Sequence, residues 1–386
     1  MNRFKIRPPS KASMIVLAGM AVVAVLVVLF QMQNPMDYEI YSSESIHYDK
    51  GTVTAVTAQS LEQEPAPSNR LLGTQTVEVK MKNGQYKDQT ITIENVLSTT
   101  HNIQVKPGQS VIVKVDSPQN AQPYFTIYNY DRTIGIVAIV ALFFLLLMVV
   151  GRRKGVKSML GLAFTLFLVV GLLLPMIYQG YSPILSSLLV AVLVTLAAML
   201  LLNGPSKKTL VAILSTGAGL VISAALYGVF TAILHLSGYQ MEQVEDLLLV
   251  SQNTGLKIGQ VLFVGVLISS LGAVMDMTMS IASSLYEMKQ VSPGVTKGQL
   301  VKSGMAIGRD MIGTMCETLI LAFVGTALTT MLVLVSYGIQ FDQLLSSDYI
   351  AIELLHAVTG SMAVVLSVPA TALLSGMFFA KSAGKS

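Results

Sequence analysis

The sequence predicts an all-α polytopic membrane bundle of about eight transmembrane helices, with a small extracytoplasmic all-β, OB-like domain inserted after the first helix. Three observations lead there. Of 386 residues, 53% are hydrophobic and only 12% are charged, against about 25% charged in a soluble domain. The apolar residues gather into runs that exceed the roughly 18 residues marking a membrane span. One stretch, 36–131, has the opposite texture, with Pro65, Pro67, Pro107, Pro118 and Pro123 between short alternating segments. This composition excludes a soluble enzyme spread over the chain, and also a disordered chain.

The first element is a basic tail with Arg3, Lys5, Arg7 and Lys11, followed by an apolar run from Met14 to Phe30. The run ends in Gln-Met-Gln-Asn-Pro, without the small-residue site that signal cleavage requires. Residues 1–35 therefore read as a cytoplasmic tail and an uncleaved anchor.

Residues 36–131 read as the β domain. Val77, Val79 and Met81 alternate with Glu78 and Lys80. Asn83-Gly84 is a strong hairpin signal. Ile91 and Ile93 alternate with threonines, Pro107-Gly108 marks a turn, and Val111, Val113 and Val115 form another alternating run. Tyr124, Thr126 and Tyr128 give a last strand, while Glu62 to Leu72 reads as a loop. Five or so short strands at this spacing predict a barrel or sandwich.

Residues 132–386 read as a seven-helix transmembrane domain, with spans near 133–151, 158–178, 183–202, 209–235, 257–285, 311–337 and 350–380. The cations test the count. With the N-terminus inside, sixteen of the 25 Lys and Arg fall on inner segments and only Lys257 on a short outer loop. That asymmetry predicts cytoplasmic termini and an extracytoplasmic β domain, as positive charge is retained inside. Residues 241–250 read as a short amphipathic helix lying in the interface. The stretch from Tyr286 to Asp310 reads as a solvated connector, with Asp310 capping the next span and Arg309 anchoring its inner end.

Ionisable groups within the spans are few, and each is a candidate, because a charge at the bilayer centre costs about 2.5–3.5 kcal/mol on insertion scales. Asp276 and Glu317 lie on consecutive spans at similar predicted depth. Ser269, Gly272, Asp276, Ser280 and Ser283 share one helical stripe; Asp310, Gly313, Thr314 and Glu317 share another. Small and polar stripes of this kind predict helix–helix contact. Two carboxyls meeting there would hold a cation or share a proton; a hydrogen-bonded acid that locks packing is the alternative. Asp276 is the expected coupling acid, with Ser280, Thr314 and Glu317 beside it. Glu353 and His356 form an i, i+3 pair that is half of a metal motif, with a snorkelling pair as the alternative.

Other chemistry is missing from the sequence. It contains no H-E-x-x-H, no G-x-S-x-G and no complete phosphate loop, and pairing Asp276 with Asp310 as a protease lacks a motif. No enzyme activity, cofactor or nucleic-acid partner is expected. Cys316 is the single cysteine, so no internal disulfide forms.

The run Leu271-Gly-Ala-Val-Met-Asp-Met-Thr-Met-Ser-Ile-Ala-Ser-Ser-Leu-Tyr-Glu resembles the YibE/F-like family of bacterial multi-span proteins. So does Gly308-Arg-Asp-Met-Ile-Gly-Thr-Met-Cys-Glu-Thr-Leu-Ile-Leu-Ala-Phe. The anchor and outer domain resemble the longer, YibE-type members. The resemblance implies a plasma-membrane protein accompanied by a YibF-type membrane partner or by copies of itself. It also implies a neutral amide in many relatives where this chain has Glu317. Asp276, Arg309 and Asp310 fall on the motifs. The functional expectation is a permease or exporter of an ion or small solute in the lipid bilayer, with a non-transporting envelope scaffold as the alternative.

Overall fold

A computed structural model describes residues 11–37, 40, 45–118 and 121–380. Arg3, Lys5 and Arg7 of the basic tail, with Lys381 and Lys385, lie outside the described residues. The chain divides into two compact units, one of Met1–Ile40 with Leu147–Ser386 and one of Tyr41–Leu146.

The second unit contains a curled antiparallel half-barrel. Its strands are β1 (Ile46–Gln63), β2 (Leu71–Met81), β3 (Thr90–Leu97), β4 (Ser110–Asp116) and β5 (Tyr124–Tyr130), in the order β3-β2-β1-β4-β5. Inward residues alternate as the pleat requires: Val77, Val79, Met81, Ile93, Val111, Val113 and Val115 are buried around Val53 and Ile127. β1 has no predicted span, because register shifts at Val53/Ala55 and Val56/Ala58 break its alternation. Such bulges also bend a strand. β1 pairs with β4 over Ile46–Thr52 and with β2 over Gly51–Gln63. The expected loop at Glu62–Leu72 is shorter than the sequence implies. Glu62 pairs with Leu72 and Gln63 with Leu71, which leaves a turn clasped by Arg70 and Glu64 at 2.9 Å. The β2–β3 connection is also longer than a two-residue hairpin. Gly84 sits there at φ 78° against the Asp49 carboxyl, where a Cβ would collide.

The segment Ser98–Gln109 lies on the sheet and meets a strand by backbone bonds at its end, where Gly108 and Gln109 bond Val53 of β1. Two buried amides serve as its backbone partners. Asn95 Nδ2 donates to Ile103 O at 2.7 Å, and Gln75 Oε1 accepts from Val105 N–H at 3.1 Å.

The first unit is helical: α1 (Lys11–Gln33), the later part of α2 (Thr133–Leu168), α3 (Leu174–Tyr178), α4 (Pro183–Asn203), α5 (Lys207–Leu234), α6 (Val244–Thr254), α7 (Val261–Val291), α8 (Lys297–Ser336), α9 (Phe341–Leu345) and α10 (Asp348–Ala380). Among the described residues, seven helices are long and apolar enough to cross a membrane. The difference from the expected eight lies in one 46-residue run, Thr133–Tyr178. It breaks at Arg152 (φ 50°, ψ −124°), inside the basic cluster assigned to a loop. Gly155 there abuts the Leu147 carbonyl, although a straight helix would hold the two residues about 12 Å apart. The chain therefore folds back at Arg152.

Between α2 and α3, a π turn spans Val169–Leu173 just before Pro175. Proline cannot donate back to the helix. The Gly171 carbonyl accepts instead from Gln31 Nε2 of α1 at 2.8 Å. The amphipathic helix expected at 241–250 forms as α6; its Val244, Leu247 and Val250 pack partly buried while Glu245 and Asp246 occupy the first turn.

The expected connector from Tyr286 to Asp310 is almost wholly helical. α7 runs to Val291 and α8 begins at Lys297. Thr296 accepts from Gln299 N–H while the Gln299 side chain accepts from Thr296 N–H, the reciprocal box that starts a helix. Asp310 consequently lies within the helix and caps nothing.

Candidate functional site

α7 is the central helix of the first unit. Leu267, Val274, Met277, Ile281 and Leu285 are fully buried against α5 and α10. At about 100° per residue, Asp276 faces away from these and is exposed, as are Gly272 and Ser284. Ser280 is half-buried. On α8, Arg309, Asp310, Gly313, Thr314 and Glu317 are all exposed. A Cβ added at Gly272 or Gly313 would meet nothing within 4 Å. The centre of each expected stripe, Gly272 and Asp276 on α7 and Asp310, Gly313, Thr314 and Glu317 on α8, therefore lies open on the surface of this unit. Ser269, Ser280 and Ser283 are half-buried, and Ser283 accepts from Lys208 Nζ of α5 at 3.2 Å. The large apolar side chains at Val274, Met277 and Ile281 take the interior, because their burial removes most area. Spacing identified the stripes but did not fix which side faces inward.

Among the described residues, no hydrogen bond or ion pair joins any two of Asp276, Arg309, Asp310 and Glu317. Thr314 Oγ1 is turned back onto the Met311 carbonyl at 3.1 Å. Glu353 is half-buried. His356 stacks flat on Phe323, with centroids 5.7 Å apart and planes at 7°, and its Nε2 lies against Gly265 of α7. The ring fills the gap that the glycine leaves. No group of three His, Cys, Asp or Glu suited to a metal occurs among the described residues. Cys316 Sγ approaches the Ser361 carbonyl at 3.7 Å.

A second polar feature, absent from the sequence reading, runs through the seam of α5, α7 and α10. Thr216 and Thr278 share a hydrogen bond of 2.8 Å, and Ser223 and Ser270 one of 3.5 Å. Gly219 touches Val274 and Ser367, and Gly360 touches Ser270. Ser367, Thr371 and Ser375 continue the line on α10, all fully buried. Small hydroxyl residues let helix backbones approach and bond across the contact. Their four-residue spacing on α10 was the available signal. The hydroxyls of Ser215, Thr359 and Ser375 have no partner among the described residues.

These features define a class: an α-helical membrane protein with polar groups inside and on its bundle, carrying a β half-barrel. The chain belongs to the YibE/F-like family: residues 139–381 match the family model described as YibE/F-like protein, and residues 41–130 match the YibE/F family N-terminal domain. No curated protein and no solved structure matches it.

Proposed function

We propose that this YibE/F-like chain is a plasma-membrane permease or exporter for an ion or small solute, with Asp276 as its coupling acid. The exposed carboxyl of Asp276 within an apolar span carries the reading. Against lipid it costs about 2.5–3.5 kcal/mol on insertion scales. A water-filled path relieves that cost, and transport needs such a path. Gly272 and Gly313 leave open space along the same stripes. Ser280, Thr314 and Glu317 supply further oxygens of the kind that replace a cation's hydration. Arg309 and Asp310 lie nearer the inner end of α8. In this reading both termini are cytoplasmic and the β domain is extracytoplasmic. The Thr133–Tyr178 run crosses twice, giving eight passes in all; the inner-side cations support this arrangement.

A different observation favours the second reading, a non-transporting scaffold. The outer half of α8 exposes Leu321, Leu328, Leu332 and Val335 and buries only Ala327. A further membrane chain, either a second copy or a YibF-type partner, would cover that side.

Flux across proteoliposomes containing Asp276→Asn tests the first reading. A loss of at least tenfold with unchanged folding is expected. Unchanged flux removes Asp276 from the mechanism, and absence of flux in the parent protein under every ion gradient leaves the scaffold.

A further inference from the structure

We propose that the half-barrel binds an extended polypeptide segment by strand addition to the free edge of β1. This inference is independent of the transport reading.

β1 lies mid-sheet at its start and becomes an edge halfway along. Its pairing with β4 ends at Thr52. The last links on that side are Val53 N–H to Gln109 O at 2.9 Å and Gly108 N–H to Val53 O at 2.8 Å. From Thr54 to Gln63 the strand is hydrogen-bonded to β2 alone. Beyond the bulges at Thr54 and Thr57, the regular stretch Ala58–Gln63 leaves a row of outward N–H and C=O groups, about 20 Å of strand. Such a row templates another strand, and extended ligands use it for affinity while side-chain pockets set specificity.

The edge opens onto a cleft of about 420 Å³. Val56, Ala58 and Gln59 form one wall; Gln104, Lys106 and Pro107 form the other. From Val105 to Pro107 the second wall offers no free backbone donor. Val105 N–H is bound to Gln75, Lys106 N–H is bound to the Gln109 side chain at 2.9 Å, and Pro107 has none. A strand lying here is therefore held mainly from the β1 side. The two walls frame a cleft of a size that suits a single extended segment.

Charge specifies the occupant further. The edge from Thr54 to Leu61 carries no charge. Lys106 is exposed on the rim, and its ammonium makes no ion pair among the described residues. The complementary ligand is an otherwise uncharged strand with one carboxylate reaching Lys106.

The full chain in nanodiscs would be titrated with acetylated octapeptides of alternating valine and threonine, with one glutamate moved through each position. Saturable binding is expected, with one or two glutamate positions at least tenfold tighter than the neutral parent. The Lys106→Glu variant is expected to erase that preference. N-methylating alternate amides along one peptide edge should weaken binding at least tenfold, while methylating the other edge leaves it unchanged. The proposal is overturned if no peptide saturates, or if both methylation series behave alike. It is also overturned if Gln59→Cys cross-links two copies through this edge.

Discussion

Thr216 on α5 and Thr278 on α7 share a hydrogen bond of 2.8 Å, and both side chains are fully buried. The Thr278→Val variant keeps the shape and removes one partner, leaving a buried hydroxyl without its bond. Transmembrane hydrogen bonds of this kind contribute about 0.6 kcal/mol on average and up to about 1.7. A loss of about 1 kcal/mol is expected in detergent unfolding. The Thr216→Val/Thr278→Val pair should recover part of it, because neither hydroxyl is then left alone.

Gly308 and Gly313 lie five residues apart on α8 with opposite surroundings. A Cβ at Gly308 would enter the Val368 side chain, whereas one at Gly313 would meet nothing. Gly308→Ala should destabilise the protein by about 1–3 kcal/mol through overpacking. Gly313→Ala should be neutral or slightly stabilising, as alanine favours helix. Parallel thermal melts of the two variants make the comparison.

In the β domain, Asn95 is buried, and its amide donates both to Ile103 O and to Gln75 Oε1 at 3.3 Å. Asn95→Leu leaves both acceptors short of a donor. A loss of about 1–3 kcal/mol is expected, together with faster amide exchange over Ser98–Gln109. If exchange there is unchanged, the amides do not hold this segment.

Asp131 gives a pH signature. The Thr133 hydroxyl first, then Thr133 N–H and Lys50, hold its carboxyl down at about 2; Lys50 Nζ lies 3.1 Å from Oδ2. The unfolded chain takes up this proton near the ordinary aspartate value of about 3.9. The contribution is therefore complete above that value and is lost as pH falls from about 4 towards 2. Unfolding midpoints at pH 5 and pH 2.5 should differ less in Asp131→Asn than in the parent.

Local pattern carried much of the architecture. The alternation at Val77–Met81 and Val111–Val115 marked strands, and unbroken apolar runs marked helices, because each reflects the period of its own backbone. β1 carries no such mark, because two bulges interrupt that period. In the α7–α8 connector, glycines at 304 and 308 resemble loop punctuation, yet they fit against Ala372, Leu285 and Val368 inside a helix contact. The Thr296-x-x-Gln299 box is the start signal of α8. At the candidate site, spacing grouped Gly272, Asp276 and Ser280 correctly on one stripe and then assigned that stripe to the wrong side.

By itself the sequence determined the membrane class, the inserted β domain and the residues sharing each helical face, because composition and periodicity act along the chain. Only the tertiary structure decided that Asp276 faces outward, that α5, α7 and α10 meet through hydroxyls, and that β1 ends as a free edge. Those outcomes depend on competition between distant segments for buried area and for hydrogen-bond partners, which no local pattern encodes.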